Sequence, residues 1–196
     1  MSYEDEYEYK PSILSIIWSW IWSFIVAFII VGGVYFFLGR PFTVSGASMY
    51  PTLHNGDRMV LSKVGDIHRF DVVILKAPDE NVEYIKRVIG MPGDTIEMKS
   101  GVLYINGKKV DQPFINTEAL AKQTVFMDDF TLESLTGESK VPEGKYFVLG
   151  DNRGVSKDSR MIGFIDRSAI EGKAVFTIWP LNRIGGQTDY SYLYSE

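Results

Sequence analysis

The chain contains no cysteine and only two histidines, His54 and His68, among its 196 residues. The first absence removes thiolate nucleophiles, disulfide staples and Cys-based metal sites together. It also leaves the compartment open, because a cysteine-free chain folds alike under reducing and oxidising conditions. Two histidines are thin material for a His-centred triad or a zinc site, and both read as loop or surface residues. No metal site and no cofactor is expected. The net charge of −5, with scattered basic residues and no concentrated basic face, argues against nucleic acid as a partner. A further absence is local: no charged residue occurs from Ile13 to Leu38.

That uncharged run holds 26 residues, which as a helix rising ~1.5 Å per residue would measure ~39 Å, against ~30 Å of bilayer hydrocarbon. Tilt absorbs the surplus. Trp18, Trp20 and Trp22 crowd its first half and Tyr35 stands near its end, as aromatic residues do near membrane interfaces. A cleaved secretory leader would be shorter, would begin with basic residues, and would end at a small-x-small site. Here the preceding residues 1–10 are acidic, with Glu4, Asp5, Glu6 and Glu8 against Lys10, and no such site follows. Residues 1–10 are therefore read as a solvated tail and 11–39 as a permanent anchor helix. Lys10 before the span and Arg40 and Arg58 after it would, by the positive-inside rule, weakly put the body in the cytoplasm.

Past Pro41 the pattern changes to short β-type runs broken by turn residues, with no long segment of helical period. Phe42–Ser45, Arg58–Ser62, Asp71–Leu75, Val82–Ile89, Lys145–Leu149 and Lys173–Trp179 read as strands. In Val82–Ile89, alternation puts Tyr84, Lys86 and Val88 on one face and Ile85, Arg87 and Ile89 on the other. Asn106-Gly107 between Gly101–Ile105 and Lys108–Val110 is a strong hairpin signal. Short helices are expected near Glu118–Gln123 and Asp166–Glu171. The predicted architecture is mostly antiparallel β, with a catalytic body from 40–97 and 145–182, an inserted second β lobe at 98–144, and a C-terminal tail at 183–196. No functional reading attaches to the tail.

Three polar blocks stand out. Val44-Ser45-Gly46-Ala47-Ser48-Met49-Tyr50-Pro51 places a serine in a Gly/Ser-flanked bend. Tyr84-Ile85-Lys86-Arg87 places a lysine in mid-strand. Gly150-Asp151-Asn152-Arg153-Gly154-Val155-Ser156-Lys157-Asp158-Ser159-Arg160 is a dense polar loop. A serine hydroxyl needs a base to become a nucleophile. Without cysteine, and with both histidines poorly placed, a lysine is the remaining base. To act near neutral pH it must fall from about 10.4 to about 7–8, which requires a dry pocket. On spacing alone, Lys86 reads more readily as a surface lysine beside Arg87, and the third block as a loop held by Asx-turn bonds.

Taken in this order behind an apolar anchor, the three blocks resemble the type I signal peptidase family. The resemblance covers most of residues 40–180. It implies a coiled antiparallel β-sheet body on one membrane anchor, and a Ser–Lys endopeptidase. The nucleophile of the family's Ser-Met-x-Pro block falls on Ser48, and the general base on Lys86. The lysine-orienting serine falls on Ser156. Asp151, Arg153, Asp158 and Arg160 match residues that brace the site. The backbone N–H of Ser48 is the first oxyanion donor. Some family members add a serine hydroxyl two positions earlier; here that residue is Gly46, so a backbone group near Gly46 or the hydroxyl of Ser45 must substitute.

The implied substrates are secretory preproteins, whose extended cleavage segment would add as a strand along Phe42–Ala47 and Glu83–Arg87. Val44, Met49, Tyr84 and Ile85 are candidate substrate-binding residues, the apolar ones walling pockets for an Ala-x-Ala-like site. They read equally well as core residues. The lipid bilayer and, transiently, the protein-export machinery are the remaining expected partners. The resemblance puts the chain in the plasma membrane, N-terminus cytoplasmic and catalytic body outside, against the weak charge count. A specialised maturation peptidase of the same superfamily and a catalytically inactive membrane-tethered β module stay open as alternatives. The self-cleaving repressor class, also Ser–Lys, needs an Ala-Gly bond that this chain does not contain.

Overall fold

A computed structural model describes residues 12–38, 41–63, 65–115 and 129–194, with side chains for all of these except 34–38. The chain divides into two units at Phe37–Leu38. The first carries all but the last residue of the helix Ile13–Leu38. Its large apolar side chains up to Val31 are exposed, among them Trp18, Trp20, Trp22 and Phe28. A helix apolar all round, exposed, and long enough to cross a membrane matches the expected anchor.

The second unit is mostly β, and its strands pair antiparallel throughout. Its strands are β1 (Pro41–Thr43), β2 (Arg58–Ser62), β3 (Val72–Lys76), β4 (Glu83–Gly90), β5 (Ile96–Lys99), β6 (Val102–Ile105), β7 (Lys108–Val110), β8 (Phe130–Thr131), β9 (Lys145–Leu149), β10 (Ile165–Asp166), β11 (Ile170–Trp179) and β12 (Gly185–Gly186). The larger sheet runs β1-β2-β11-β3-β4-β9-β10 with β12 added on β11, and the smaller runs β7-β6-β5-β8. Neither closes into a barrel. At the tip of the β6–β7 hairpin, Asn106 and Gly107 both take positive φ, 51° and 74°, the mirror-image turn that matches strand twist. In place of a helix at Asp166–Glu171 there is a single 3₁₀ turn, Arg167–Ala169, before β11. The helix expected near Glu118–Gln123 lies outside the described residues.

Strand β4 is the hub. Ile85 packs with Val44, Met49, Leu53, Met59, Leu61, Val72 and Ile74. Val88 joins Val73, Leu75, Tyr146 and Val148, and Ile89 joins Phe70, Ile96, Met98, Leu103 and Phe147. From Ile85 onward every β4 residue is buried. The alternation therefore marks two faces that are both covered, as in a central strand. Its first half is different. Tyr84, Ile85 and Lys86 pair with Leu75, Ile74 and Val73 of β3, whereas pairing with β9 begins only at Arg87. The other side of that half carries no strand among the described residues, and β1 is likewise a sheet edge.

Candidate active site

Ser48 lies in the turn between β1 and β2. The turn is tied at its base by Val44 N–H to Asp57 O (2.8 Å) and Gly56 N–H to Val44 O (2.9 Å), and within by Leu53 N–H to Met49 O (2.9 Å). Met49 and Leu53 are buried anchors that point the turn into the core. Gly46 takes a φ of 87°, a left-handed conformation that glycine adopts without strain. Its N–H donates to Asn55 Oδ1 at 2.9 Å, so that donor is engaged within the turn. Ser48 itself is half-buried.

Lys86 reaches this serine from β4. Its Nζ stands 3.0 Å from Ser48 Oγ and 3.0 Å from Ile85 O, and 4.9 Å from the centroid of the Tyr84 ring. The residue is 3% exposed. Burial pulls its pKa from 10.5 down to about 8, against an opposing pull from Asp158 and Asp151. Desolvation outweighs the carboxylates, and the ammonium becomes easy to deprotonate.

Around this pair the polar loop of the third block is observed as turns and bends, but buried. Asp151, Asn152, Arg153, Ser156, Asp158 and Ser159 are all at most 3% exposed. Arg87, next to the lysine and on the opposite face of β4, forms a bidentate pair with Asp151, Nε to Oδ1 at 2.8 Å and Nη2 to Oδ2 at 2.6 Å. Asp151 also accepts from the hydroxyl of Thr52, four residues past Ser48. Asp158 accepts from Gly150 N–H at 3.0 Å and from Arg160 Nε at 2.8 Å, and caps the one-turn helix Ser159–Ile162. Arg160 also donates to Arg153 O (2.7 Å) and Arg153 to Gly150 O (2.9 Å). Burial lowers Arg153 to about 10, which leaves it charged at neutral pH. Each buried charge thus has a counter-charge or carbonyls, the condition on which burial is tolerable.

Ser156 Oγ is buried and has no hydrogen-bond partner among the described residues. A Cβ on Gly150 would lie 2.1 Å from that oxygen and 2.5 Å from Ser48 O. Gly150 is thus where the third block closes on both serines. Val44, Met49 and Ile85 lie together in one buried cluster under the turn, and Tyr84 is half-buried beside Lys86. Among the described residues, no group of three or more His, Asp and Glu could hold a metal ion.

Several contributors escaped the sequence reading. Thr52 and Asn152 carry no local sign of a role, and the C-terminal segment reads as a tail without function. Yet the rings of Phe114 and Tyr190 flank the Arg87 guanidinium at 4.3 and 5.4 Å. Tyr194 lies 4.2 Å from the guanidinium of Arg69, which pairs with Asp94. Partners so distant in sequence leave no local signature; the cluster of tyrosines near the C-terminus was the one available hint.

Known proteins agree with this architecture. The family model for signal peptidase, peptidase S26, matches residues 17–179. The signal peptidase I of Bacillus licheniformis is 47% identical over 156 residues, spanning 76% of this chain and 81% of its own length. Signal peptidase IB of Staphylococcus aureus is 43% identical over 155 residues, with 74% and 81% covered. The crystal structure of a signal peptidase I from Enterococcus faecalis V583 superposes with a TM-score of 0.51 at 40% identity, covering 56% of this chain and 97% of that one. With the apolar helix, these findings define the class: a membrane-anchored serine endopeptidase. The chain belongs to the signal peptidase family, peptidase S26.

Proposed function

We propose that the protein removes N-terminal signal peptides from exported preproteins, with Ser48 as nucleophile and Lys86 as general base. The observation that carries the reading is the 3.0 Å approach of a buried Lys86 Nζ to Ser48 Oγ. In its neutral form, Lys86 takes the hydroxyl proton as Ser48 Oγ attacks the scissile carbonyl, forming an oxyanion that Ser48 N–H receives. Collapse of that intermediate breaks the C–N bond, and the Lys86 ammonium returns its proton to the leaving amine. Water then hydrolyses the acyl-serine with the same lysine as base.

The bond from Nζ to Ile85 O aims the lysine at the serine. The hydroxyl of Ser156, without a partner among the described residues, is a second orienting group, and the Asp151–Arg87 and Asp158–Arg160 pairs hold the frame. The cleavage segment adds as a strand along the open first half of β4 and the edge at β1. Tyr84 and the Val44–Met49–Ile85 cluster shape the pockets that accept small side chains, giving small-x-small specificity. The body, with 98–144 as an inserted lobe, works on the extracytoplasmic face of the cell membrane, where preproteins emerge from the export machinery.

The test is cleavage of a preprotein carrying an Ala-x-Ala site by the full chain in detergent, from about pH 6 to about pH 10. Wild type cuts once, after the small-x-small segment; Ser48→Ala and Lys86→Ala are both silent. Residual cutting by either variant removes that residue from its role.

A further inference from the structure

One residue holds the serine turn from outside, and neither the dyad nor the ion pairs account for it. Asn152, 3% exposed, donates its backbone N–H to Ser48 O at 2.9 Å and its side-chain Nδ2 to Ala47 O at 3.1 Å. It thereby fixes two consecutive carbonyls of the turn. Ala47 C=O and Ser48 N–H belong to the same peptide unit. A trans peptide is planar, with its C=O and N–H pointing in opposite directions. Whatever aims Ala47 O therefore aims Ser48 N–H the opposite way.

The turn supplies one grip of its own, Tyr50 N–H to Ala47 O at 3.1 Å. Asn152 supplies the other from more than a hundred residues away, 105 positions along the chain. Exchanging the oxygen and nitrogen of its amide would set two acceptor oxygens against each other, so the amide must face Ala47 as a donor. Asn152 Oδ1 is buried without a partner among the described residues, so the side chain is held by its donor end. Gly46 N–H is already given to Asn55, whereas Ser48 N–H has no acceptor among the described residues.

We infer that Asn152 is the positioning residue of the oxyanion site, holding the Ala47–Ser48 peptide with its N–H turned to the reacting carbonyl. By donating to the carbonyl of that peptide it also polarises the unit and strengthens the N–H as a donor. The inference rests on the reading of Ser48 as nucleophile and names the group that orients its amide.

The experiment compares wild type, Asn152→Ala and Asn152→Asp as full chains in detergent, on a preprotein and against a substrate-like peptide aldehyde. Removal of a whole oxyanion donor costs about 10²–10³ in kcat. Misaiming one that keeps its second grip should cost about ten- to a hundredfold, with KM held within about threefold. The pH midpoint of Asn152→Ala should match wild type, because Lys86 is untouched. Affinity for the aldehyde, whose hemiacetal oxygen occupies the same place, should fall in parallel with kcat.

Asn152→Asp is isosteric but its carboxylate cannot donate, so it answers the question should the alanine variant fail to fold. It should lose at least as much on the alkaline plateau. A kcat within about threefold of wild type in a folded variant, a loss confined to KM, or undiminished aldehyde binding would overturn the inference. Failure of the dyad would appear separately, as cutting by Ser48→Ala.

Discussion

Replacing Lys86 by methionine should silence the enzyme and stabilise it. Lys86 is buried, and the cost falls on the folded state whenever it is charged. Its pKa falls from 10.5 to about 8 on folding. At about 1.4 kcal/mol per pH unit, the folded state forfeits about 3 kcal/mol at every pH below 8. Between pH 8 and 10.5 the unfolded chain still binds the proton that the folded one has lost, so stability rises with pH and the penalty disappears at the top of that window.

Methionine fills a similar volume and removes the penalty. It also leaves Ile85 O without its side-chain donor, a loss of about 1 kcal/mol. The expected gain is therefore about 2 kcal/mol near neutral pH, shrinking and then reversing slightly towards pH 10.5. Urea titrations of both full chains in detergent, followed by circular dichroism at several pH values, measure it. A variant less stable than wild type at neutral pH, or a difference that does not change with pH, would refute the claim that the lysine is held at the expense of stability.

The same lowered pKa predicts that activity climbs about tenfold per pH unit below 8, where only a minor fraction of Lys86 is neutral, and levels off above about pH 9. A pH profile of kcat/KM checks it. Gly150→Ala should cost more than a hundredfold in kcat, since its Cβ would drive against Ser156 Oγ at 2.1 Å and Ser48 O at 2.5 Å and push the serines off position by about an ångström. Steady-state kinetics on folded protein reads that loss. Asp151→Asn leaves Arg87 a buried charge without its counter-charge, at about 3–5 kcal/mol of stability. It also removes a carboxylate that raises the Lys86 pKa, so the activity midpoint should move to lower pH. Urea titration and a pH profile measure the two effects.

Elements specified by local chemistry were legible in the sequence. The strands Arg58–Ser62 and Lys145–Leu149 are observed at the predicted residues, and Asn106-Gly107 makes its hairpin, because period and turn residues act within a few positions. Ser48 and Lys86 were legible through the blocks around them, and the structure brings them together. Depth was the harder property. Lys86 and Arg87 read as surface neighbours, yet both are buried, because β4 is covered on both sides by elements that its own period cannot reveal. Thr52, Asn152 and Tyr190 act through partners 99, 105 and 103 positions away respectively, and nothing in their local sequence marks such contacts.

Those separations also bear on how the site comes into being. The Lys86–Ser48 contact spans 38 positions, and the bonds that frame it span about a hundred. Closing such long loops costs chain entropy that only the completed body repays. On the proposed reading, base and nucleophile are brought together by the fold as a whole and by no local segment, so a body that loses its tertiary packing should lose all cleavage with it.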